Sequence, residues 1–395
     1  MNICAIVCEF DPFHRGHRHL IDECRRVFGA DSAVVCAMSG DFVQRGASAA
    51  FLKHDRARAA AAGGADLVLE LPLPWCMSTA ETFARGAVGL LGACGLPAHL
   101  CFGSESGDLS GLQKTAALLL DPETGVLIRR ELESGIGYAA ARQRAVEALT
   151  GAPSELLRQP NDILAVEYLK ALETQGISME PFAVLRRGAR HGAPEEDGFP
   201  SSSFLREKLR KGEDVGAWMP PESAAALAQG TGALNGNAVE TAILSRLRFL
   251  PEEAFAAAPD VSEGLDRRVL AAARTAPTLE ALDDAASTKR YPRARVRRIA
   301  LSAALGIRRE DAEGLPPYLR VLAANAAGLA LLREMETRAP LPILTKPAQI
   351  RRMGERAQRV FALGAAAADL CALGLSDPAS RRGDRDWRSA PAILD

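Results

Sequence analysis

No apolar run in this chain of 395 residues is long enough to cross a bilayer. The nearest, Gly86 to Leu96, is short and rich in glycine. No secretory h-region stands at the start, because Met1 leads directly into the first apolar segment. The eight cysteines contain no Cys-x-x-Cys pair, which argues against a zinc site. Cys4, Cys8, Cys36 and Cys101 fall in strand-like segments and Cys24 on an apolar helix face. They read as reduced, buried thiols of a cytoplasmic protein. Net charge is nearly absent, at a formal −1, so any nucleic-acid site must be local. No Ser-His-Asp or Cys-His arrangement demands a covalent intermediate on the protein.

What is present is an apolar fraction of 48% and a length that suggests two domains or three. Ile3 to Cys8 is a continuous apolar run, which suits a strand covered on both faces. Pro12 and Gly16 punctuate the connection that follows. Leu20, Ile21, Cys24, Val27 and Phe28 then recur at helical spacing, which predicts a helix from about His17. A strand, a glycine turn and a helix N-terminus together make a phosphate site. His14 and His17 at that mouth add donors.

Further strands are expected at Ser32–Met38, Asp66–Leu71, His99–Phe102 and Glu180–Leu185, with helices at Phe51–Ala62, Glu81–Leu91 and Ile163–Leu172. This alternation predicts a doubly wound parallel α/β sheet. Leu109 to Leu149 reads as a helical insertion. The loop Ser39–Gly46 follows a strand, which makes Gln44 and Arg45 candidates for a ligand. Asn161 or Asp162 is expected to cap a helix. Ser201, Ser202 and Ser203 should cap another, with Arg206 one turn inside it. From about Gly236 no convincing strand is found, and Leu319 to Arg333 reads as one helix. A catalytic domain over 1–235 and a C-terminal all-helical domain over 236–395 are therefore expected.

One segment of the second domain stands apart. Lys289, Arg290, Arg293, Arg295, Arg297 and Arg298 make six basic residues in ten, with Tyr291 among them and no acid. Pro292 suits a first helical turn, and Val296, Ile299, Ala300 and Ala303 form an apolar stripe. Arg293 and Arg297 flank that stripe on one side, Arg295 and Arg298 on the other. Basic residues interleaved with an aromatic suit an RNA backbone and an unstacked base. The competing reading is a solvated face neutralised by Asp283 and Asp284.

His14-x-Gly16-His17 after an apolar strand, led by Phe10-Asp11-Pro12-Phe13, resembles the HxGH nucleotidyltransferases, a Rossmann-type superfamily. Ser201-Ser202-Ser203 with Arg206 resembles its second signature, which grips leaving phosphates. More closely, the chain is similar to the bacterial tRNA(Met) cytidine acetate ligases. The shared stretches include residues 9–17, Gly40–Gly46, Gly64–Pro72, Phe102–Glu105, Pro160–Ala165 and Lys289–Tyr291. The likeness runs from the N-terminus to about Lys346 and weakens thereafter.

That resemblance implies an enzyme that activates acetate with ATP, Mg2+ accompanying its phosphates. It then acetylates the wobble cytidine of elongator tRNA(Met), with no membrane partner and no protein-held metal. ATP would meet Val7, Cys8, Glu9, Phe10, Asp11, Pro12, Phe13, His14, Arg15, Gly16, His17, Arg18, His19 and Leu20. It would also meet Gly103, Asn161, Arg186, Arg187, Ser202, Ser203 and Arg206. His14, His17 and Arg206 are the expected catalytic donors, and the basic segment the expected tRNA contact. The chain departs from the family pattern at Arg187 to His191, at Pro292 and at Ala294. Two rivals remain: a superfamily enzyme acting on a small metabolite, which would not need the basic segment, and a non-catalytic nucleotide-responsive RNA-binding protein.

Overall fold

A computed structural model describes residues 1–151, 155–187, 195–196, 198–262 and 264–394. The first half alternates strand and helix. β1 (Ile3–Cys8), α1 (Arg15–Phe28) and β2 (Ala33–Ser39) are followed by a small hairpin, β3 (Phe42–Val43) and β4 (Ala47–Ser48). Then come α2 (Lys53–Ala62), β5 (Leu67–Leu71), α3 (Ala80–Gly92) and β6 (His99–Ser104). The expected helical insertion is three helices, α4 (Leu109–Leu120), α5 (Pro122–Glu133) and α6 (Tyr138–Thr150). α7 (Pro160–Gln175) and β7 (Glu180–Leu185) return to the sheet. After them come the two-residue strands β8 (Glu195–Glu196) and β9 (Phe199–Pro200), then α8 (Ser202–Arg210) and α9 (Pro221–Ala228).

Within the main sheet β5, β2, β1, β6 and β7 lie side by side in that order. β1 is central and pairs in parallel with both β2 and β6, because crossover helices return each strand in the same sense. Its side chains alternate between two cores. Cys4, Ile6 and Cys8 join Ile21 and Cys24 of α1 on one face, while Ile3 and Ala5 face the larger core on the other. This is why the run reads as wholly apolar. All eight cysteines are free and buried.

The second half contains α10 (Gly236–Phe249), α11 (Glu252–Ala256), α12 (Leu265–Thr275), α13 (Leu279–Ala286) and α14 (Arg293–Leu305). The helical region and the doubly wound sheet are thus as expected. The expectation of no strand beyond Gly236 is not. β10 (Leu319–Ala324) precedes α15 (Ala326–Arg338) and β11 (Ile343–Leu344), and β12 (Ala392–Ile393) follows α16 (Glu355–Ala372) and α17 (Arg385–Arg388). β10 pairs antiparallel with β5 and parallel with β11 and β12, so the chain's last part completes the sheet of its first. Among the described residues no helix is long and apolar enough to cross a membrane.

Candidate active site

The carboxyl ends of β1, β6 and β7 open into a cavity of about 1360 Å³. At its floor the turn between β1 and α1 is held by its own side chains. Phe10 adopts a left-handed φ of 46°, costly for any residue but glycine, and is packed between the rings of Phe13 and His17. α1 starts at Arg15, two residues earlier than the spacing suggests, with His14 as its N-cap. Its Nδ1 accepts from the Gly16 N–H at 3.0 Å, and the His17 Nδ1 accepts from the His14 N–H at 3.2 Å. Both Nδ1 atoms being acceptors, each neutral ring carries its proton on Nε2. A Cβ on Gly16 would lie 2.9 Å from His14 Cε1, so any other residue would push that ring aside.

Burial, then Arg186 and Arg206, hold the His14 imidazole down to about 3. Burial and the neighbouring His14 ring, 3.8 Å away between centroids, hold His17 well below the usual histidine range. Expected as catalytic donors, the two rings are neutral N–H donors rather than cations, because two imidazolium rings stacked this closely and out of water would repel.

α8 brings the second signature to the first. Ser201 caps it by accepting from the Phe204 N–H at 3.2 Å. The His14 Nε2–H donates to Ser202 Oγ at 3.0 Å. Arg206 donates to the Asp11 carbonyl at 3.4 Å and to Ser203 Oγ at 3.5 Å, with the Asp11 carboxylate 3.9 Å away. Asp11 is buried and also accepts from the Ala50 N–H at 2.7 Å. These groups form the donor-rich end of the cavity.

The other end is built where β6 and β7 lie side by side. The Arg186 N–H donates to the Ser104 carbonyl at 2.9 Å, and its side chain crosses Gly103, where a Cβ would meet Arg186 Cγ at 3.2 Å. The Asn161 side chain donates to Glu105 at 2.6 Å. Neither Asn161 nor Asp162 caps α7, contrary to expectation. The Glu105 carboxylate does, accepting from the Asn161 and Asp162 N–H groups at 3.1 and 2.9 Å. Asp162 instead accepts from Ser104 Oγ at 2.5 Å and from the Glu105 and Ser106 N–H groups.

Val7, Cys8, Glu9, Phe10, Asp11, His14, Gly16, His17, His19 and Leu20 line the cavity, as do Gly103, Asn161, Arg186, Arg187, Ser202, Ser203 and Arg206. Pro12, Phe13, Arg15 and Arg18 do not: Phe13 is packed in the core and Arg18 pairs with Asp22 at the surface. Gly188 to His191 lie outside the described residues. Gln44 and Arg45 also line the cavity, and the Gln44 N–H donates to Glu9 at 2.8 Å. Sequence reasoning missed Arg56, which is wholly buried in α2 and donates to the carbonyls of Glu9, Ser39 and Gly40, tying the ends of β1 and β2 together. No pattern in its alanine-rich helix marks that role.

The basic segment lies on α14 and the turn before it. Arg293 pairs with Asp284, and Arg297 with the buried Asp283. Arg298 meets Asp260 at 3.2 Å, and Arg295 donates to the Asp260 carbonyl and Ser262 Oγ, each at 2.7 Å. The Arg290 and Arg295 guanidinium groups lie 5.8 and 5.3 Å from the Tyr291 ring centre. Much of the charge expected to face RNA is therefore neutralised within the protein. Lys289 and Arg290 are exposed, and Arg297 alone of the segment lines the cavity.

A strand, a mutual histidine cap and a serine–arginine helix closing over it define an HxGH-type nucleotidyltransferase, and residues 1–386 match the family model described as HIGH Nucleotidyl Transferase. The tRNA(Met) cytidine acetate ligase of Acetivibrio thermocellus is 32% identical over 100% of both chains. That of Thermoanaerobacter sp. strain X514 is 35% identical over 88% of this chain and 90% of its own. The apo crystal structure of Thermotoga maritima TmcAL superposes with a TM-score of 0.92 at 28% identity, covering 100% of both chains. Its form bound with alpha-thio ATP gives 0.90. The chain belongs to the tRNA(Met) cytidine acetate ligase family.

Proposed function

We propose that this protein is a cytoplasmic ligase that makes acetyl-adenylate from acetate and ATP and transfers the acetyl group to the wobble cytidine of elongator tRNA(Met). The observation that carries the reading is the meeting of His14, Ser202 and Arg206 at the N-terminus of α1. The triphosphate lies over that turn, with Mg2+ arriving on its oxygens. The nucleoside lies toward Gly103, Asn161 and Arg186.

Acetate is already ionised at neutral pH and needs no general base. One of its oxygens attacks the α-phosphorus, the bond to the bridging oxygen breaks, and pyrophosphate leaves. His14, His17, the helix N-terminus and Arg206 stabilise the departing charge. The cytidine N4 amine then attacks the acetyl carbonyl carbon. The acyl–oxygen bond to phosphate breaks, AMP leaves with the electron pair, and N4 gives up a proton. The mixed anhydride must be shielded from water between the two steps. Region 236–395 carries the tRNA, through Lys289, Arg290 and the neighbouring face of α14.

Incubation with ATP, labelled acetate and total tRNA, followed by nucleoside analysis, tests the reading. Label in N4-acetylcytidine of tRNA(Met) is expected. Acetate-dependent AMP formation with no labelled nucleoside would favour a small-metabolite ligase. RNA binding without either product would favour a non-catalytic role.

A further inference from the structure

The cavity is larger than one nucleotide needs. Pockets for a single small ligand span roughly 300–1,000 Å³, against about 1360 Å³ here. Part of the cavity's lining comes from the second half of the chain, where Asn237 and Glu240 of α10, Thr278 and Glu280 at the start of α13, and Arg297 of α14 complete the wall. Two hydrogen bonds join this end to the phosphate end. Asp11 accepts from the Ala50 N–H at 2.7 Å, and the Ala50 carbonyl accepts from the Leu234 N–H at 2.8 Å. α10 starts two residues later, so its first turns stand beside the site where an adenylate would form.

On those turns Asn237 and Glu240 are three residues apart and share a helix face. Val239 and Ile243 of the same helix are buried in the core and fix its rotation. The half-buried Glu240 carboxylate and the exposed Asn237 side-chain amide have no hydrogen-bond or ion-pair partner among the described residues and are open to a ligand. Arg297 is held in place by the buried Asp283. An acceptor and an amide open to a ligand, with a fixed guanidinium lining the same cavity, match the edge and backbone of a cytidine. Carboxylates accept from cytosine N4.

We propose that the α10–α14 end of the cavity is the pocket for the extruded cytosine. Glu240 accepts one N4–H, Asn237 donates to the O2–N3 edge, and Arg297 meets the sugar-phosphate. This rests on the acetyl-transfer reading above. Holding one N4–H leaves the nitrogen lone pair available to the acetyl carbonyl. Uracil is rejected because its O4 would face a carboxylate with no proton between them.

The test compares tRNA(Met) with cytidine and with uridine at the wobble position, by equilibrium binding to full-length protein in one buffer. The parent should prefer cytidine by roughly ten- to a hundredfold. Glu240→Gln, near in shape and able to donate to O4, should bring the two within about threefold, with thermal melts confirming that it folds. Asn237→Ala should weaken binding of both RNAs by a similar factor. A Glu240→Gln protein that keeps the parental preference overturns the pocket while leaving acetyl transfer by the parent intact. A parent that forms no N4-acetylcytidine removes the underlying reading and the pocket with it.

Discussion

His14 Nε2 and Ser202 Oγ lie 3.0 Å apart, although 188 residues separate them in the chain. The bond joins the two phosphate signatures into one surface before any nucleotide arrives. Ser202 sits on the first turn of α8, so a ligand oxygen that takes over the His14 proton also frees a hydroxyl at a second helix N-terminus.

His17→Ala should lower turnover by about a hundredfold or more, as loss of one charge-stabilising donor does elsewhere. Its structural cost is the lost cap to the His14 N–H, about 1 kcal/mol. Steady-state kinetics with a thermal melt separates the two. Parental activity in the variant would remove His17 from the chemistry.

Stability should fall as pH drops below about 6.5. The folded His14 titrates at about 3, whereas an unfolded histidine does so near 6.5. Between those values the unfolded chain binds a proton that the folded chain refuses. This stabilisation is therefore complete above 6.5 and lost progressively toward 3, at about 1.4 kcal/mol per pH unit per group. His17 acts in the same sense. Glu9, whose carboxyl burial pushes up, acts in the opposite one. Urea titrations at pH 7.5 and 5.5 should show the slope, and His14→Gln should reduce it by about one proton. An unchanged slope would mean that His14 is protonated in the folded state.

The first turn was legible because β1, the glycine and the helical stripe each leave a local signal, and Ser201 announces α8 in the same way. β10 was not. All six of its residues are buried, so Leu319 to Ala324 shows no alternation, and the leucines and alanines after it continue a helical pattern. Only Asn325 marks the break, by accepting from the Gly328 N–H and donating to Asp66. The Glu105 cap of α7 was hidden because the cap comes from 56 residues away. The pairing of α14 with Asp283 and Asp284 was legible because those carboxylates stand close in the chain, whereas the pairing of Arg298 was not, since Asp260 lies 38 residues before it.

The last residues have a structural task that composition does not reveal. Asp386 is buried and accepts from Lys53 at 2.5 Å and from Arg320 at 2.7 Å, while Glu70 meets the same two cations at 2.8 and 2.9 Å. Asp386→Asn breaks the buried ion pairs of that carboxylate with both Lys53 and Arg320, leaving Glu70 and, 3.5 Å from Lys53, Asp41 to face them, and should cost up to about 3–5 kcal/mol. Arg388→Ala, an exposed position on the same short helix, should change stability by less than about 0.5 kcal/mol. Paired chemical denaturation curves check both. Equal effects would mean that the network is not what fastens the C-terminus to the sheet.

The ion pairs of α14 change which substitutions can test RNA binding. Arg297→Glu would place a second carboxylate against buried Asp283 and should destabilise the protein by several kcal/mol, so lost RNA binding in that variant would say little. Lys289 and Arg290 are exposed on the turn before the helix. Lys289→Glu with Arg290→Glu should leave the melting temperature near the parent's and weaken tRNA binding at any sequence. It should also flatten the salt dependence, because each lost phosphate contact removes about one released counterion. Acetate-dependent pyrophosphate release without RNA, first established for the parent, should persist, since its donors are His14, His17 and Arg206. Normal tRNA affinity and an unchanged salt slope would make this turn a solvated surface and move the RNA site elsewhere. Loss of both activities in a folded variant would instead tie the turn to the ATP pocket.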